Sequence, residues 1–584
     1  MFLKKSTATI KGTQYHHYKI VESYRDDGKI KHRILFNVGK LTDEQAEQLK
    51  LAIKVQNDPG LVVTHEREIA VTKSIAYLDI MVLHQMWQQW NLAQFFLNDR
   101  WVEALVLNRC IDPTSKIRLQ SWAEQTILPA FIPALRNYDE YDVYRELDRI
   151  AKQEDALQVF LYEQLKQRQR IHSNAFFYDI TSSYFEGSQC VLAKLGYSRD
   201  HRPDREQVVI ALMITPEGYP FYWRVLDGNT QDVTTIEALV HDVRRRFGIA
   251  KCTLVFDRGM VSATNLKSIE QEQLKYVSAM DKDEIRTTLL DEVMPVAATS
   301  DDWEQVMERQ AFRPCDEDAL LFYRPLLLAG SRYIVTFDVG RFHDQTKHRL
   351  RQCDQMAQLI QDLNHALRTA KNSRKREAVE REVQRLLARK GMKKLTTITI
   401  EPLDIPAVTA KGKARTITSF QVHLQWCEDQ LKELARLDGL TCFITNMSDN
   451  ELADQEVITW YRRKNKVEES FHELKSHLKL RPMHVTRAER VKAHVTICML
   501  ANFLMNDMEQ RLQAAGYKQA PNDLLQTLEV CRIHRMEISA VKRKWLSIQE
   551  MSEHQQRSLQ ALQCPELLQE RFQKEILAQA EICL

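Results

Sequence analysis

Apolar and polar positions alternate with different periods in different parts of the 584-residue chain. Residues 1–40 alternate with a period of two, and the turn Asp26-Asp27-Gly28 between the two halves predicts a β-hairpin. Residues 41–170 carry apolar positions at helical spacing, with Pro and Gly confined to breaks, which predicts a helical region of about 100 residues. The chain therefore begins with a β-rich segment and continues as helices.

The region from residue 171 to residue 281 predicts a different class of domain. Apolar runs that predict strands alternate there with stretches of helical spacing, in the order AFFYDI, QVVIALMIT, YPFYWRVL, a helix over 232–247, KCTLVF, a helix from residue 262, and KYVSAM. Three strands followed by helix, strand, helix and strand is an order typical of a mixed α/β domain.

The remainder of the chain is less regular. Between residues 282 and 450, several apolar runs predict strands, and residues 351–391 have the spacing of a long, basic helix pair. Residues 451–584 show helical spacing only. A second strand-rich region and a helical C-terminal region are therefore predicted.

Composition changes this picture little, but the distribution of charge adds to it. The chain is 44% hydrophobic and 28% charged, as soluble globular proteins are, and its net charge is only +3. Basic residues are clustered: residues 341–400 contain fifteen Lys or Arg against six Asp or Glu, and residues 461–495 contain ten against four. Such patches are expected where a surface neutralises phosphates.

The cysteines and the N-terminus exclude several classes of protein. The eleven cysteines show no CxxC pair and no metal-ligand spacing, which favours free thiols in a reducing cytosol. The basic N-terminal stretch lacks the apolar region of a signal peptide, and the chain has no run of eighteen apolar residues. We therefore expect a cytoplasmic protein without a membrane partner.

The stretch YRRKNKVEESFHELK, residues 461–475, places one glutamate differently from its neighbours. On a helix at about 100° per residue, Tyr461, Lys464, Glu468 and Lys475 form one stripe beside an apolar stripe. Glu468 then lies at the edge of the buried face, while the other two glutamates point away. An i,i+4 ion pair between Lys464 and Glu468 on an exposed helix is the alternative interpretation.

Two aspartates lie in apolar strand patterns. Asp179 interrupts the run FFYDI, where a charge is costly unless it is paired or metal-bound. Asp257 follows KCTLVF, so it stands at the carboxyl end of a buried strand, where α/β sheets place ligand groups. Either aspartate could instead cap a helix or a turn. Together with Glu468 they suit a pair of Mg²⁺ ions, which prefer oxygen ligands and assist phosphoryl transfer.

These residues carry a family resemblance. The spacing of Tyr461, Lys464, Glu468 and Lys475 matches the Tyr-Arg-Glu-Lys signature of DDE transposases of bacterial insertion sequences at all four positions, with Lys in place of Arg. Lys keeps the charge but loses the bidentate fork of Arg. Five further blocks resemble the same family, in the same order: VESYRDDGKIKHRILFNVGKL, YDITSSYFEG, GYSRDHRPDREQVVIALMI, LDGNTQDVTT and FDRGMVSATNL.

The resemblance implies a fold, a chemistry and a set of partners. It implies a ribonuclease H-like α/β core, a mixed sheet flanked by helices, with a β-rich insertion domain before the catalytic helix. It implies catalytic, metal-binding Asp179, Asp257 and Glu468 with two Mg²⁺ ions, for which Mn²⁺ can substitute. Tyr461, Lys464 and Lys475 would hold DNA-end phosphates. The expected partners are double-stranded DNA, as terminal inverted repeats and as target, and a second copy of the chain in a synaptic complex associated with the nucleoid.

Under this interpretation the chain has six parts. They are a β-rich segment at 1–60, a helical DNA-end-binding domain at 61–170, the first part of the core at 171–281, the insertion domain at 282–450, the catalytic helix of the core at 451–510, and a C-terminal helical region at 511–584.

Other residues and other functions compete with this interpretation. Asp232 is a rival for the second acid, but its place at a predicted helix start is better explained by capping. A basic loop between strands is predicted to contact phosphate, against the alternative of a solvated turn, through Arg199, His201, Arg202 and Arg205. A structure-selective nuclease on the same fold would not perform strand transfer. A non-catalytic DNA-binding descendant of a transposase is disfavoured by the three intact acids.

Overall fold

The computed structural model describes residues 1–10, 13–56, 58, 62, 64–97, 99–186, 189–390, 392–409 and 412–581. The chain divides into two compact units: one comprises residues 1–85, 117–138 and 522–584, and the other comprises residues 86–116 and 139–521. The predicted boundary after residue 60 lies outside the described residues.

The described residues form these strands: β1 Phe2–Ile10, β2 Thr13–Asp26, β3 Lys29–Gly39, β4 Ile69–Ala76, β5 Ala175–Tyr184, β6 Gln207–Ile214, β7 Pro220–Leu226, β8 Thr253–Phe256, β9 Lys275–Ala279, β10 Arg313–Cys315, β11 Asp318–Leu328, β12 Ser331–Asp338, β13 Thr396–Val408, β14 Ala414–Trp426, β15 Leu440–Thr445, β16 Arg532–Ile538 and β17 Arg543–Ile548.

They also form these helices: α1 Asp43–Val55, α2 Leu78–Gln89, α3 Leu92–Phe95, α4 Trp101–Ile111, α5 Leu119–Ala123, α6 Leu128–Phe131, α7 Glu140–Gln167, α8 Ile236–Arg245, α9 Ala263–Gln271, α10 Lys282–Thr288, α11 Leu290–Val293, α12 Trp303–Arg309, α13 Val339–Arg368, α14 Arg376–Lys390, α15 Glu428–Arg436, α16 Asp454–Arg463, α17 Asn465–Ser476, α18 Ala488–Ala514, α19 Pro521–Glu529, α20 Glu553–Ala561 and α21 Glu570–Glu581. Within the described residues, no helix combines the length and the apolar character that crossing a bilayer requires.

The unit that contains residues 139–521 is built on a nine-stranded mixed sheet with the order β10-β11-β12-β15-β9-β8-β5-β6-β7. Strand β5 pairs with β8 in parallel and with β6 in antiparallel, and every residue of β6 is buried. Helix α18 is buried along most of its length and packs against α4, α7 and β7. The mixed α/β order predicted for residues 171–281 is confirmed, because β5, β6, β7, α8, β8, α9 and β9 follow one another in that order.

Residues 282–450, predicted as an insertion domain, divide between two structures. Strands β10, β11, β12 and β15 extend the same nine-stranded sheet as β5 and β8. The basic helix pair α13 and α14 packs instead with the hairpin β13–β14 around an apolar cluster of its own. Part of this segment therefore belongs to the central sheet, where its four strands lie on the side of β9 away from β8.

The unit that contains the N-terminus has two small sheets. Strands β1, β2 and β3 form an antiparallel meander, against which α1 packs. The predicted hairpin is confirmed: Asp26 pairs with Lys29, and Asp27 and Gly28 have φ of 48° and 75°.

The second small sheet, β17-β16-β4, was not predicted. Strand β4 lies in the region predicted as helical at 61–170, and β16 and β17 lie in the region predicted as helical at 511–584. The prediction of helices alone was wrong there because these short strands depend on a long-range pairing, Ile75 with Ile533, that the local pattern does not contain.

Candidate active site

Two of the predicted acids are placed by neighbouring parallel strands. Tyr178 of β5 pairs with Phe256, the last residue of β8, so Asp179 and Asp257 are the residues that follow this pair. The two strands lie about 4.8 Å apart. One carboxylate oxygen of Asp179 accepts a hydrogen bond from the backbone N–H of Ile180 at 2.8 Å. The sheet therefore places the two aspartates on neighbouring central strands, at the carboxyl end of β8.

The third acid is positioned by α17, which packs against β5. Helix α17 buries Val467, Phe471 and Leu474, which is the apolar stripe that the sequence predicts. Glu468 lies beside that stripe with a side chain that is 60% exposed. Lys464 forms the junction between α16 and α17 and keeps helical dihedral angles, with φ −55° and ψ −25°.

The ammonium group of Lys464 lies among the acids. Its side chain is only 4% exposed, and Nζ donates to Oε1 of Glu468 at 3.1 Å. Burial lowers the pKa of Lys464, but Asp179, Asp257 and Glu468 outweigh it and the pKa is raised. The i,i+4 ion pair foreseen as the alternative interpretation of Glu468 is thus present, and it is coupled to both aspartates.

Asp179 has an unusual affinity for protons. Burial raises the pKa of its carboxyl to about 6, Lys464 and the Ile180 amide oppose this, and Asp257 and Glu468 raise it further. The three carboxylates therefore act on one another as a single cluster of negative charge. Such clusters of perturbed groups are typical of functional sites.

These acids suit a metal ion through the chemistry of their oxygen atoms and not through their arrangement in this structure. Among the described residues, no three His, Cys, Asp or Glu side chains are arranged closely enough to hold a metal ion. Asp179, Asp257 and Glu468 nevertheless offer only carboxylate oxygens, the ligands that Mg²⁺ prefers. Burial raises the pKa of Asp179, and the charges of Asp257 and Glu468 that raise it further also favour a divalent cation. The donor set therefore fits a hard divalent ion.

Tyr461 is fixed to the second acid. Its hydroxyl donates to Oδ1 of Asp257 at 2.9 Å, and its ring lies 4.9 Å from that of Phe443 in β15. Burial and the charge of Asp257 raise the pKa of Tyr461, so the phenol stays protonated and remains a donor. In this structure Tyr461 orients a carboxylate.

Lys475 contacts a buried carboxylate that the sequence did not single out. Its Nζ donates to Oγ1 of Thr181 at 2.7 Å and to Oδ1 of Asp200 at 2.8 Å. Asp200 is 2% exposed and also pairs with Arg481 at 2.5 Å. Burial lowers the pKa of Lys475, and Asp200 opposes this. Nothing in the local sequence distinguishes Asp200 from the exposed Asp204 nearby.

The arginines of the predicted phosphate-contacting loop all have carboxylate partners. Arg199 donates to both oxygens of Asp232 at 2.5 and 2.6 Å. The other two pair with acids of the loop and its flank: Arg202 with Asp204 at 2.9 Å, and Arg205 with Asp204 at 3.5 Å and with Glu186 at 3.6 Å. The loop therefore neutralises its own charge in part.

Asp232 does not cap a helix. The short helical turn Asp232–Thr235 has Gln231 at its N-cap and no side-chain cap bond. The capping interpretation was wrong because Arg199 takes both oxygens of Asp232.

Comparison with known families identifies the chain. The family described as transposase DDE domain matches residues 176–504, which is more than half of the chain and includes all three acids. The chain belongs to the DDE transposases of insertion sequences. The domain described as IS1634 family transposase, N-terminal domain, matches residues 3–60 of this transposase, where β1, β2, β3 and α1 lie.

One similar solved structure is the cryo-EM structure of the piggyBac transposase synaptic complex with hairpin DNA. It has a TM-score of 0.32 and 10% identity, and the match covers 77% of this chain and 70% of that chain. No protein with a curated description matches the chain. Transposases bind DNA, and a DDE domain is a catalytic domain of the polynucleotidyl-transferase type that generally uses a divalent metal.

Proposed function

We propose that this transposase moves its insertion sequence by a cut-and-paste-type reaction. Water attacks the phosphodiester at each element end and displaces the 3′ oxygen of the element. The freed 3′ hydroxyl then attacks a phosphodiester of target DNA and displaces the 3′ oxygen of the target strand. The observation that carries the proposal is the electrostatic cluster of Asp179, Asp257 and Glu468, which come from the middle of β5, from the residue after β8 and from α17. The supporting sequence match covers all three positions.

The proposed roles rest on the carboxylate chemistry of the cluster. Asp179, Asp257 and Glu468 are proposed as catalytic ligands of two Mg²⁺ ions. Bound ions of this kind stabilise the attacking and leaving oxygens of a phosphoryl transfer. Tyr461 holds Asp257 in one orientation through its hydroxyl, and Lys464 balances part of the negative charge of the cluster.

Phosphate contacts are proposed for the cations around the cluster. Lys464, Lys475 and the loop arginines Arg199, Arg202 and Arg205 already bind carboxylates in this structure. A DNA phosphate would share or replace these partners, because it offers the same anionic oxygens. Recognition of the inverted repeats is proposed for the N-terminal segment and residues 61–170, and a homodimer on a ribonuclease H-like core is proposed to hold two ends together.

The test uses the full chain and a duplex made from the inverted repeat that flanks its coding sequence. Asp179→Ala, Asp257→Ala and Glu468→Ala should each abolish nicking in Mg²⁺ and retain binding to the duplex. Glu469→Ala is the matched control, because Glu469 lies next to Glu468 but is exposed and paired with Lys466 at 3.3 Å. It should cut as the unmodified protein does.

Two results would contradict the proposal. Cutting by Asp179→Ala in Mg²⁺ would exclude the cluster as the catalytic centre. Failure of the unmodified protein to join pre-cleaved ends to a target duplex, with cutting intact, would instead indicate a structure-selective nuclease.

A further inference from the structure

A second feature of the same sheet lies beside Asp257. A cavity of about 470 Å³ opens there, where β9 ends, where β15 begins and where α10 and α13 start. Tyr461 and Asp257 form one wall of it. The cavity therefore adjoins the proposed catalytic cluster on the side of β9 and β15.

The cavity has an apolar interior and a cationic rim. Its apolar lining is buried and consists of Ala279, Met280, Ile285 and Leu440. Three exposed cations from three different elements surround it: Arg258, Lys282 and Arg341. Burial lowers the pKa of Lys282, the charge of Asp438 opposes this, and the charges of Arg341 and Arg258 lower the pKa further.

These three cations differ from those of the basic loop in their partners. Within the described part of the chain, none of the three forms an ion pair with a carboxylate. Arg341 donates to Oγ1 of Thr441 at 2.8 Å, and Lys282 donates to Oε1 of Gln345 at 3.4 Å. Both partners are neutral. Cations that face a cavity without carboxylate partners retain the capacity to bind an anion.

We propose that this cavity binds a backbone phosphate of the DNA strand that passes Asp257, through Arg258, Lys282 and Arg341. The inference rests on the proposed function and extends it, because it names a second point at which the strand is held next to the reacting phosphodiester. It also gives the segment 282–450 a direct part in the site through α10 and α13. The apolar interior accommodates the sugar that accompanies the phosphate.

The test uses double-mutant cycles on the full chain, in which one change is a substitution in the protein and the other is a chemical change in the DNA. The probe is the inverted-repeat duplex, with one phosphate at a time replaced by a neutral methylphosphonate on either strand around the cleavage position. Binding is measured by fluorescence anisotropy in EDTA, so that the readout is independent of cutting. The variants are Lys282→Gln and Arg341→Gln. The matched control is Arg286→Gln on the same helix as Lys282, since Arg286 is already paired with acids.

Each variant should bind the unmodified duplex about tenfold more weakly and lower the slope of log K against log salt by about one. On the duplex whose methylphosphonate falls in the cavity, the variant and the unmodified protein should bind equally. Lys282→Arg keeps the charge and should bind as the unmodified protein does. The strand that carries the coupled position identifies whether the transferred or the other strand enters the cavity.

The proposal is overturned if no methylphosphonate on either strand abolishes the effect of Lys282→Gln and Arg341→Gln, or if Arg286→Gln shows the same coupling. This failure is distinguishable from failure of the proposed function. A protein that cuts the duplex through its three acids but shows no coupling loses only the cavity assignment. A protein that does not bind the duplex, or that cuts with Asp179→Ala, loses both.

Discussion

The raised pKa of Asp179 predicts that removing this acid stabilises the protein. Its carboxyl has a pKa of about 6 in the folded chain, against about 3.9 for an unfolded aspartate. The folded state therefore binds the proton more tightly than the unfolded state between these values. Stability falls as the pH rises from about 4 to about 6, and the loss is complete above pH 6. Two pKa units correspond to about 3 kcal/mol.

Asp179→Asn should therefore raise the free energy of unfolding by up to about 3 kcal/mol near pH 7.5 in EDTA, while abolishing cutting. Asparagine has the same shape and can still accept the Ile180 amide. The gain should fall to about 0.5 kcal/mol near pH 4, where the folded aspartate is protonated and the unfolded one about half protonated, and should disappear below about pH 3. Differential scanning calorimetry at a series of pH values measures the effect.

Asp232→Asn is the control, for which the free energy of unfolding should change in the opposite direction. Its carboxylate receives two hydrogen bonds from Arg199, so its loss should destabilise the protein by about 1–3 kcal/mol near pH 7.5. The reasoning is refuted if Asp179→Asn lowers the unfolding temperature near pH 7.5, or if its gain is the same near pH 4. Either result would mean that Asp179 is not a destabilising charge.

Three further predictions concern the signature residues. Lys475→Met should destabilise the protein by about 2 kcal/mol because it leaves buried Asp200 with one cationic partner, and adding Asp200→Asn should restore part of this in thermal unfolding. Tyr461→Phe should lower the cutting rate about tenfold with unchanged thermal stability of the fold, because Asp257 loses its fixed orientation. Lys464→Met should tighten apparent Mg²⁺ binding about tenfold, measured by the thermal shift with Mg²⁺, because the acids lose their internal counter-charge.

The parts of the site that the sequence predicts are those that local patterns determine. The apolar run before Asp257 fixes its place at a strand end, and the helical stripe at 461–475 fixes Glu468 beside the buried face. Both follow from the periods of strand and helix, which are readable over a few residues. The register of β5 against β8 then aligns Asp179 with Asp257.

The parts that the sequence does not predict depend on residues far apart in the chain. Lys475 meets Asp200 across 275 positions, and nothing in the pattern around either residue indicates the other. The cavity cations come from three separate elements, two of which lie in the segment predicted as an insertion domain. Contacts between side chains that are far apart in the sequence produce no repeating pattern of apolar and polar residues. They can therefore be recognised only from the three-dimensional structure.

The replacement of Arg by Lys in the signature is consistent with the surroundings of position 464. A guanidinium carries five N–H donors in a rigid plane, and each donor that is buried needs a partner. The side chain of Lys464 is 4% exposed and donates to one carboxylate, Glu468, while the two aspartates act on it through charge. A compact ammonium on a flexible stem satisfies such a site with fewer hydrogen bonds than a fork does. What position 464 needs in this transposase is therefore a buried positive charge among three acids, and Lys supplies it with three N–H donors to satisfy instead of five.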